Sequence, residues 1–217
     1  MPLDIADVKD ADTEPMLLLD TTGSMRGGAS ASSSVKKYQV VGNALYDLIE
    51  VLGSKDSAGE NEAGGGGVYT VTFAGGRADD FGDVNVPNQE RGIKGNIQHF
   101  WDTRNWDGST QIMPGYNAIR THYTSEFLGK EVTPPKLLLV VITDGEATDE
   151  AMFERALAKN VENEFVVIAP IGHGSDYDAV VQQYTRLAEK YSNIGVVEMG
   201  GMSDGKAVAK RILDMIS

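Results

Sequence analysis

Residues 16–25 read MLLLDTTGSM: an apolar run from Met16 to Leu19 that stops on Asp20 and is followed by hydroxyls at Thr22 and Ser24 around Gly23. The first half has the character of a buried strand, and the second half is a polar turn where that strand ends. Core packing needs neither a carboxylate nor alternating hydroxyls at such a point. A hard divalent cation such as Mg²⁺ or Ca²⁺ takes oxygen ligands of these kinds. In open α/β sheets the carboxyl ends of strands are also where ligands sit. Two chemistries stay open for Asp20 here: ligation of a metal, or attack by the aspartate itself.

Outward from this run, apolar strands alternate with helical patterns. A Ser/Gly-rich turn, Arg26 to Ser34, leads to a helix with Tyr38, Val41, Leu45, Leu48, Ile49 and Leu52 at three- and four-residue spacing. A glycine-rich loop from Gly53 to Gly67 follows, then a β-branched strand, Val68–Ala74, ended by Gly75-Gly76. Phe81–Val86 reads as a short edge strand closed by Pro87, and Ile93–Trp106 is ambiguous. The spacing predicts a helix over Gln111–Leu128, its start blurred by Pro114 and Gly115. Lys136–Thr143 (KLLLVVIT) is the pattern of a strand buried on both faces. Helix Asp149–Val161, strand Glu164–Ile171, helix Tyr177–Tyr191, strand Ile194–Met199 and a helix capped by Asp204 and running through Ile216 complete the chain. Inward positions on the penultimate helix are Val180, Val181, Tyr184, Leu187 and Tyr191. This order predicts an α/β domain over residues 16–217, a mainly parallel sheet with one short edge strand and helices on both faces. Residues 1–15 read as a loosely held acidic arm.

With 217 residues the chain suits one domain with a proper core. The net charge of −13 argues against a general nucleic-acid binder, which needs clustered Lys and Arg against phosphate. Cysteine is absent, so neither disulfides nor thiolate metal sites arise. The first fifteen residues lack a basic leader and an apolar segment, and no run approaches the ~20 apolar residues of a membrane helix. A cytoplasmic protein, monomeric as a free domain and bound to no membrane, is the expectation.

Two further places put an oxygen-bearing side chain at a strand end or helix start: Asp144 in VVITDGEATD, and Ser109-Thr110 in WDGST. Loops after neighbouring strands share one edge of a doubly wound sheet, so Asp20 and Asp144 can converge there. Thr110 joins them if its loop returns to that edge. Taken singly, each has a plain alternative. Thr22 and Ser24 can satisfy backbone groups of a turn, and Asp144 can be a turn former. Taken together, two carboxylates placed side by side are disfavoured by like charge unless a cation lies near.

The segment Asp20-Thr21-Thr22-Gly23-Ser24 resembles the D-x-S-x-S motif of the von Willebrand factor A (vWA) domain family. Thr110 in GST resembles the threonine of that family's G-G-T loop, and Asp144 in ITDG its second aspartate. The resemblance covers nearly the whole chain, with motifs in the same order on the same elements. It implies a three-layer Rossmann-like vWA fold and a metal-ion-dependent adhesion site. Thr22, Ser24 and Thr110 would supply hydroxyls, and Asp20 and Asp144 would act directly or through water, on Mg²⁺ (or Mn²⁺ or Ca²⁺). One coordination position would be left for a Glu or Asp carboxylate of a partner protein. Hydroxyl-rich coordination neutralises little of the ion's charge, so the ion still seeks an anion. Thr22 stands where the family has a serine, and Ser109 where it has a glycine; the latter change bears on the loop that places Thr110. The net charge of −13 would repel an acidic partner at long range, which salt screening reduces beyond about 8 Å. The expected partner is therefore basic around one key carboxylate, or its binding is slow and weak.

Enzyme readings compete. DTTGS also resembles the phosphorylated-aspartate motif D-x-T-G-T of P-type pumps, within the haloacid dehalogenase-like class, making Asp20 a nucleophile and a phosphotransferase or phosphatase the alternative function. That class usually has a second acid where Thr22 stands, and it wants a lysine, for which Lys130 and Lys136 are candidates. Gly201-Met202-Ser203-Asp204-Gly205 fits G-x-S-x-G, but no histidine follows Ser203 among His99, His122 and His173. A polar turn explains it, and a loop position explains His173. Thr148 or Asp149 is expected to cap the following helix, and Glu146 to face solvent or the metal's rim. Trp101 and Trp106 are expected in the core or on that rim.

Overall fold

The computed structural model describes residues 2–53, 67–84, 107–130 and 133–216, and the structural statements below concern these. Nearly all of the glycine-rich loop, the stretch 93–106 with His99, Trp101 and Trp106, and the end of the predicted Phe81–Val86 strand lie outside them.

Strand β1 (Thr13–Asp20) is buried along all eight residues and lies in the middle of the sheet. It pairs in parallel with β2 (Val68–Ala74) on one side and β4 (Lys136–Thr143) on the other. Beyond β4 come β5 (Glu164–Gly172) and β6 (Ile194–Val196), also parallel, while β3 (Arg77–Val84) closes the other side antiparallel to β2. A two-residue strand, β7 (Met199–Gly200), pairs with the end of β5. The order is β3-β2-β1-β4-β5-β6. This is the mostly parallel sheet with one antiparallel edge strand that the sequence predicts.

Alternation along the buried strands divides the core in two. Leu17 and Leu19 of β1 and Leu138, Val140 and Ile142 of β4 face helices α1 (Lys37–Gly53) and α5 (Gly205–Ile216). Met16, Leu18, Leu137, Leu139 and Val141 face α2 (Met113–Glu126), α3 (Glu150–Asn160) and α4 (Gly174–Lys190). Three layers result. Among the described residues no helix is long and apolar enough to cross a membrane.

Several boundaries differ from expectation for identifiable reasons. β1 starts at Thr13 rather than Met16, because parallel pairing of Thr13 with Lys136 buries residues too polar to read as core. The preceding arm is docked: Val8 is buried, Leu3 N–H donates to Val161 O at 2.8 Å, and Ile5 N–H donates to Ser192 O at 2.7 Å. β3 begins at Arg77 because Gly75 and Gly76, with φ of 55° and 77°, make a two-residue hairpin. Asp79, Asp80 and Asp83 disguise it as loop, yet such charges suit a sheet edge. The predicted strand Ile194–Met199 is split into β6 and β7. The blurred start of α2 has a packing cause: a Cβ on Gly115 would lie 2.5 Å from Leu18 Cδ1, so glycine lets the helix sit directly on β1.

The chain leaves β1 toward β2 and β3, then returns to β4 on β1's other side. Loops following β1 and β4 therefore diverge from adjacent strand ends, the crevice where open α/β sheets bind ligands.

Candidate metal centre

Leu19 of β1 is paired with Ile142 of β4, so Asp20 and Thr143 leave the sheet side by side. The Thr143 hydroxyl donates to Asp20 Oδ2 at 2.6 Å, and Thr22 N–H donates to Asp20 Oδ1 at 2.8 Å. A short 3₁₀ turn, Gly23–Arg26, then folds Ser24 back beside Thr22, with the two hydroxyl oxygens 3.0 Å apart. Ser24 Oγ donates to Asp144 Oδ1 at 2.8 Å. Four of the five predicted ligands thus form one chain of hydrogen bonds. Both hydroxyls engage side-chain oxygens rather than the turn backbone.

Thr110 returns to the same edge. Gly108, with φ of 79°, packs so closely on Gly75 that a Cβ would fall 2.6 Å from Gly75 Cα. Gly75 N–H donates to Ser109 O at 2.8 Å, and Asp107 N–H donates to Thr21 O at 3.2 Å. Thr148 N–H donates to Thr110 O at 2.9 Å. The loop is therefore tied to the ends of β1 and β2 and to the turn after β4. Thr110 Oγ1 lies against Gly145, where a Cβ would come within 2.3 Å of it. Ser109 does not disturb this placement: its side chain is exposed, and no described non-glycine residue has positive φ. The conformation that demands glycine is at 108.

Burial and charge set the electrostatics. Asp20 is fully buried, and burial first, then the nearby Asp144 carboxylate, push its carboxyl up to about 6 against the opposing hydrogen bonds from Thr143 and Thr22. The Asp144 side chain is also fully buried, and its Oδ2 accepts a hydrogen bond from Lys37 Nζ at 2.5 Å. Tyr184 donates to Gly145 O at 3.2 Å, and burial, then Asp20, raise its phenol. Gln183 grips the same turn, accepting from Ala147 N–H at 2.8 Å and donating to Ala147 O at 3.3 Å. Helix α4 thereby holds the Asp144 turn rigid.

Some expectations need correction. Asp149 stands at the N-cap position of α3 but makes no side-chain bond there. Its carboxylate reaches across to accept from Ile112 N–H at 3.0 Å and Met113 N–H at 2.9 Å, satisfying the start of α2 instead. Thr148 Oγ1 donates to Thr110 O, so it too does not cap α3. Of the expected inward residues on α4, Val181 is only half-buried, and Gln183 takes an inward place. Asp204 does cap α5, accepting from Lys206 N–H at 3.1 Å. Ser203 is exposed, and Gly205 is needed for packing, since its Cβ would meet Val40 O at 2.7 Å. His173 and Glu146 are exposed.

Sequence reasoning missed Lys37, Thr143 and Gln183 as parts of this centre. Thr143 carried a signal, a hydroxyl at the last position of a buried strand beside Asp144. Gln183 carried another, a polar residue three positions from Val180 on an inward stripe. Lys37 carried none, because the first residue of an amphipathic helix reads as solvated surface.

The donor set suits a hard cation. Among the described residues no three His, Cys, Asp or Glu side chains cluster, so any ion at this edge depends on hydroxyls as well as carboxylates. An ion here would rest on two carboxylates and on hydroxyls, all oxygen. A positive group, the Lys37 ammonium, already sits on Asp144.

No family profile matches the chain, and no curated protein matches it. Solved structures do. The SpRpn10 VWA domain aligns at 12% identity over 94% of this chain and 95% of that one, with a TM-score of 0.62. An aerotolerance-related membrane protein from Bacteroides fragilis aligns at 16% identity over 94% and 98%, with a TM-score of 0.57. The conserved hypothetical protein BatB from Bacteroides thetaiotaomicron aligns at 15% over the same shares, with a TM-score of 0.53. At such identities the likeness is one of fold, and it agrees with the strand order found here: the chain has a vWA-like α/β fold.

Proposed function

We propose that this protein is a divalent-metal-dependent interaction domain that binds a Glu or Asp side chain of a partner protein. The observation that carries this is the hydrogen-bonded chain Asp20–Thr22–Ser24–Asp144 at the sheet's switch point, with Thr110 brought to the adjoining Gly145. These five residues would hold Mg²⁺, or Mn²⁺ or Ca²⁺ in its place. The ion would supply a Lewis-acid position open to a partner carboxylate. Asp20 and Asp144 provide the charge, and the Thr143 hydroxyl and the Gln183–Tyr184 clamp keep the carboxylates and the turn in place.

The surroundings of Asp20 weigh against the phosphotransferase alternative. That chemistry wants a second acid two places after the nucleophile, and there Thr22 places a hydroxyl, 3.0 Å from that of Ser24. Lys130 pairs with Glu126, and Lys136 lies beside Thr13 at the opposite edge of the sheet, so neither reaches Asp20.

The test is thermal melting and capture on immobilised acidic peptides, with MgCl₂ or with EDTA. Wild type should melt higher in Mg²⁺ and retain Glu-containing peptides but not their Gln counterparts. Asp144→Ala should lose both effects while keeping its circular dichroism. An equal Mg²⁺ shift in Asp144→Ala would overturn the site, and an aspartyl-phosphate on Asp20 after treatment with acetyl phosphate would overturn the function.

A further inference from the structure

Lys37 is the one residue of this centre that the proposed metal chemistry does not use. It is the first residue of α1, and its backbone N–H donates to Gly27 O at 3.0 Å, which fixes its Cα near the loop after β1. The stem runs between two glycines: a Cβ on Gly27 would lie 3.4 Å from Lys37 Cε, and one on Gly172 would lie 3.9 Å from it. That slot leads the ammonium onto Asp144 Oδ2 while Ser24 holds Oδ1, so both oxygens of a buried carboxylate are engaged. The side chain is only 16% exposed, unlike the three-quarters-exposed lysine of a surface pair such as Lys210–Asp214.

We propose that Lys37 is the centre's built-in cation. Its ammonium neutralises Asp144 when no metal is bound, and it must leave Oδ2 for a divalent ion to enter. Lys37 therefore sets how tightly the centre takes a metal. This rests on the metal reading above. Asp20, Asp144 and Lys37 together carry a charge of −1, whereas the two carboxylates alone would match a divalent ion. An ammonium a few ångströms from such an ion is repelled by well over the thermal energy, even with surface-like screening. Displacement is feasible because the partly exposed end of the slot opens to solvent, and a lysine stem carries its head to water readily.

The experiment compares wild type, Lys37→Met and Lys37→Arg by calorimetric titration with MgCl₂ and MnCl₂, and by melting in EDTA and in saturating metal. Lys37→Met should bind both ions at least about tenfold more tightly. It should melt lower than wild type in EDTA and level with it in saturating metal, because only the metal-free state uses the lysine. Lys37→Arg keeps the charge and should bind no more tightly than wild type. Equal or weaker binding by Lys37→Met, or a loss of melting temperature that is the same in EDTA and in metal, would show a merely structural lysine and overturn the proposal. If none of the three proteins binds either ion, the metal reading itself falls, and this one with it.

Discussion

Replacing Asp20 with Asn should make the metal-free protein more stable and useless for metal. The carboxyl of Asp20 sits at about 6 in the fold against 3.8 for an ordinary aspartate, chiefly through burial and secondly through Asp144. At ~1.4 kcal/mol per pH unit, keeping it ionised at pH 7.5 costs roughly 3 kcal/mol. Asparagine removes that charge at nearly the same volume. Its carbonyl can still accept from Thr22 N–H, and the Thr143 hydroxyl has a second acceptor in Gly145 O at 3.3 Å. In a domain of this size 1 kcal/mol moves the melting temperature by about 2–4 °C, so Asp20→Asn should melt up to about 10 °C above wild type in EDTA. Added Mg²⁺ should raise wild type and leave the variant unmoved, narrowing or reversing the order. Scanning calorimetry at pH 7.5, with and without the metal, reads both effects. A variant less stable than wild type in EDTA would show that the buried charge is compensated in the fold and refute the reasoning, and an intact Mg²⁺ shift would remove Asp20 from the centre.

Gly145→Ala tests Thr110 without replacing any proposed ligand. The new Cβ would fall 2.3 Å from Thr110 Oγ1 and must push it aside, so Mg²⁺ affinity should drop at least about tenfold with the fold retained; unchanged affinity in a titration would show that Thr110 is not a ligand. Glu164 governs a separate pH effect. Its carboxyl is pushed up from 4.5 to about 7 by burial, which outweighs the opposing Arg120 and Tyr116. Between these values the native state holds a proton that the unfolded chain does not, so this group's contribution falls as pH rises through the window. Denaturant unfolding in EDTA from pH 5 to 8 should show stability declining with pH, and Glu164→Gln should flatten the part nearest neutrality while leaving the Asp20 part; an unchanged slope would refute it.

The sheet, and the side chains gathered at its carboxyl edge, were legible because they rest on short-range signals. Continuous apolar runs such as Leu137–Ile142 mark strands buried on both faces, and Asp20, Thr22, Ser24 and Asp144 stand at the ends of two of them. The elements that were misread are those whose reasons lie across the fold. β3 carries acids because it is an edge, so its pattern is that of a loop until its pairing with β2 is seen. Asp149 has the sequence position of a cap for α3, yet α2 supplies the better-placed orphan N–H groups. Lys37 lies 107 residues from Asp144, a separation over which no periodicity or motif speaks. Thr110 was placed by motif order alone, and the strapping of its loop to Gly75, Thr21 and Thr148 emerges only in three dimensions.

The two edges of the sheet treat buried acid in opposite ways. At the amino edge, Glu164 accepts from Tyr116 at 2.8 and 3.0 Å and from Arg120 at 3.2 Å, and Asn160 in turn donates to Tyr116 at 3.0 Å. That network is closed by side chains from three elements, so it consolidates β5, α2 and α3 and leaves no opening for a ligand. At the carboxyl edge, one lysine meets Asp144 alone, and Asp20 is held by the Thr143 hydroxyl and the Thr22 N–H; the remaining partner of Asp144 is the Ser24 hydroxyl. Ser24 is exposed to solvent. Burial of charge without a fixed counter-charge is tolerated where it does work on a ligand, and it is a cost to stability everywhere else. The contrast sets the carboxyl edge apart from the amino edge on physical grounds that are independent of motif. It also explains why the variant that relieves the strain there, Asp20→Asn, should be the more stable protein and the less capable one.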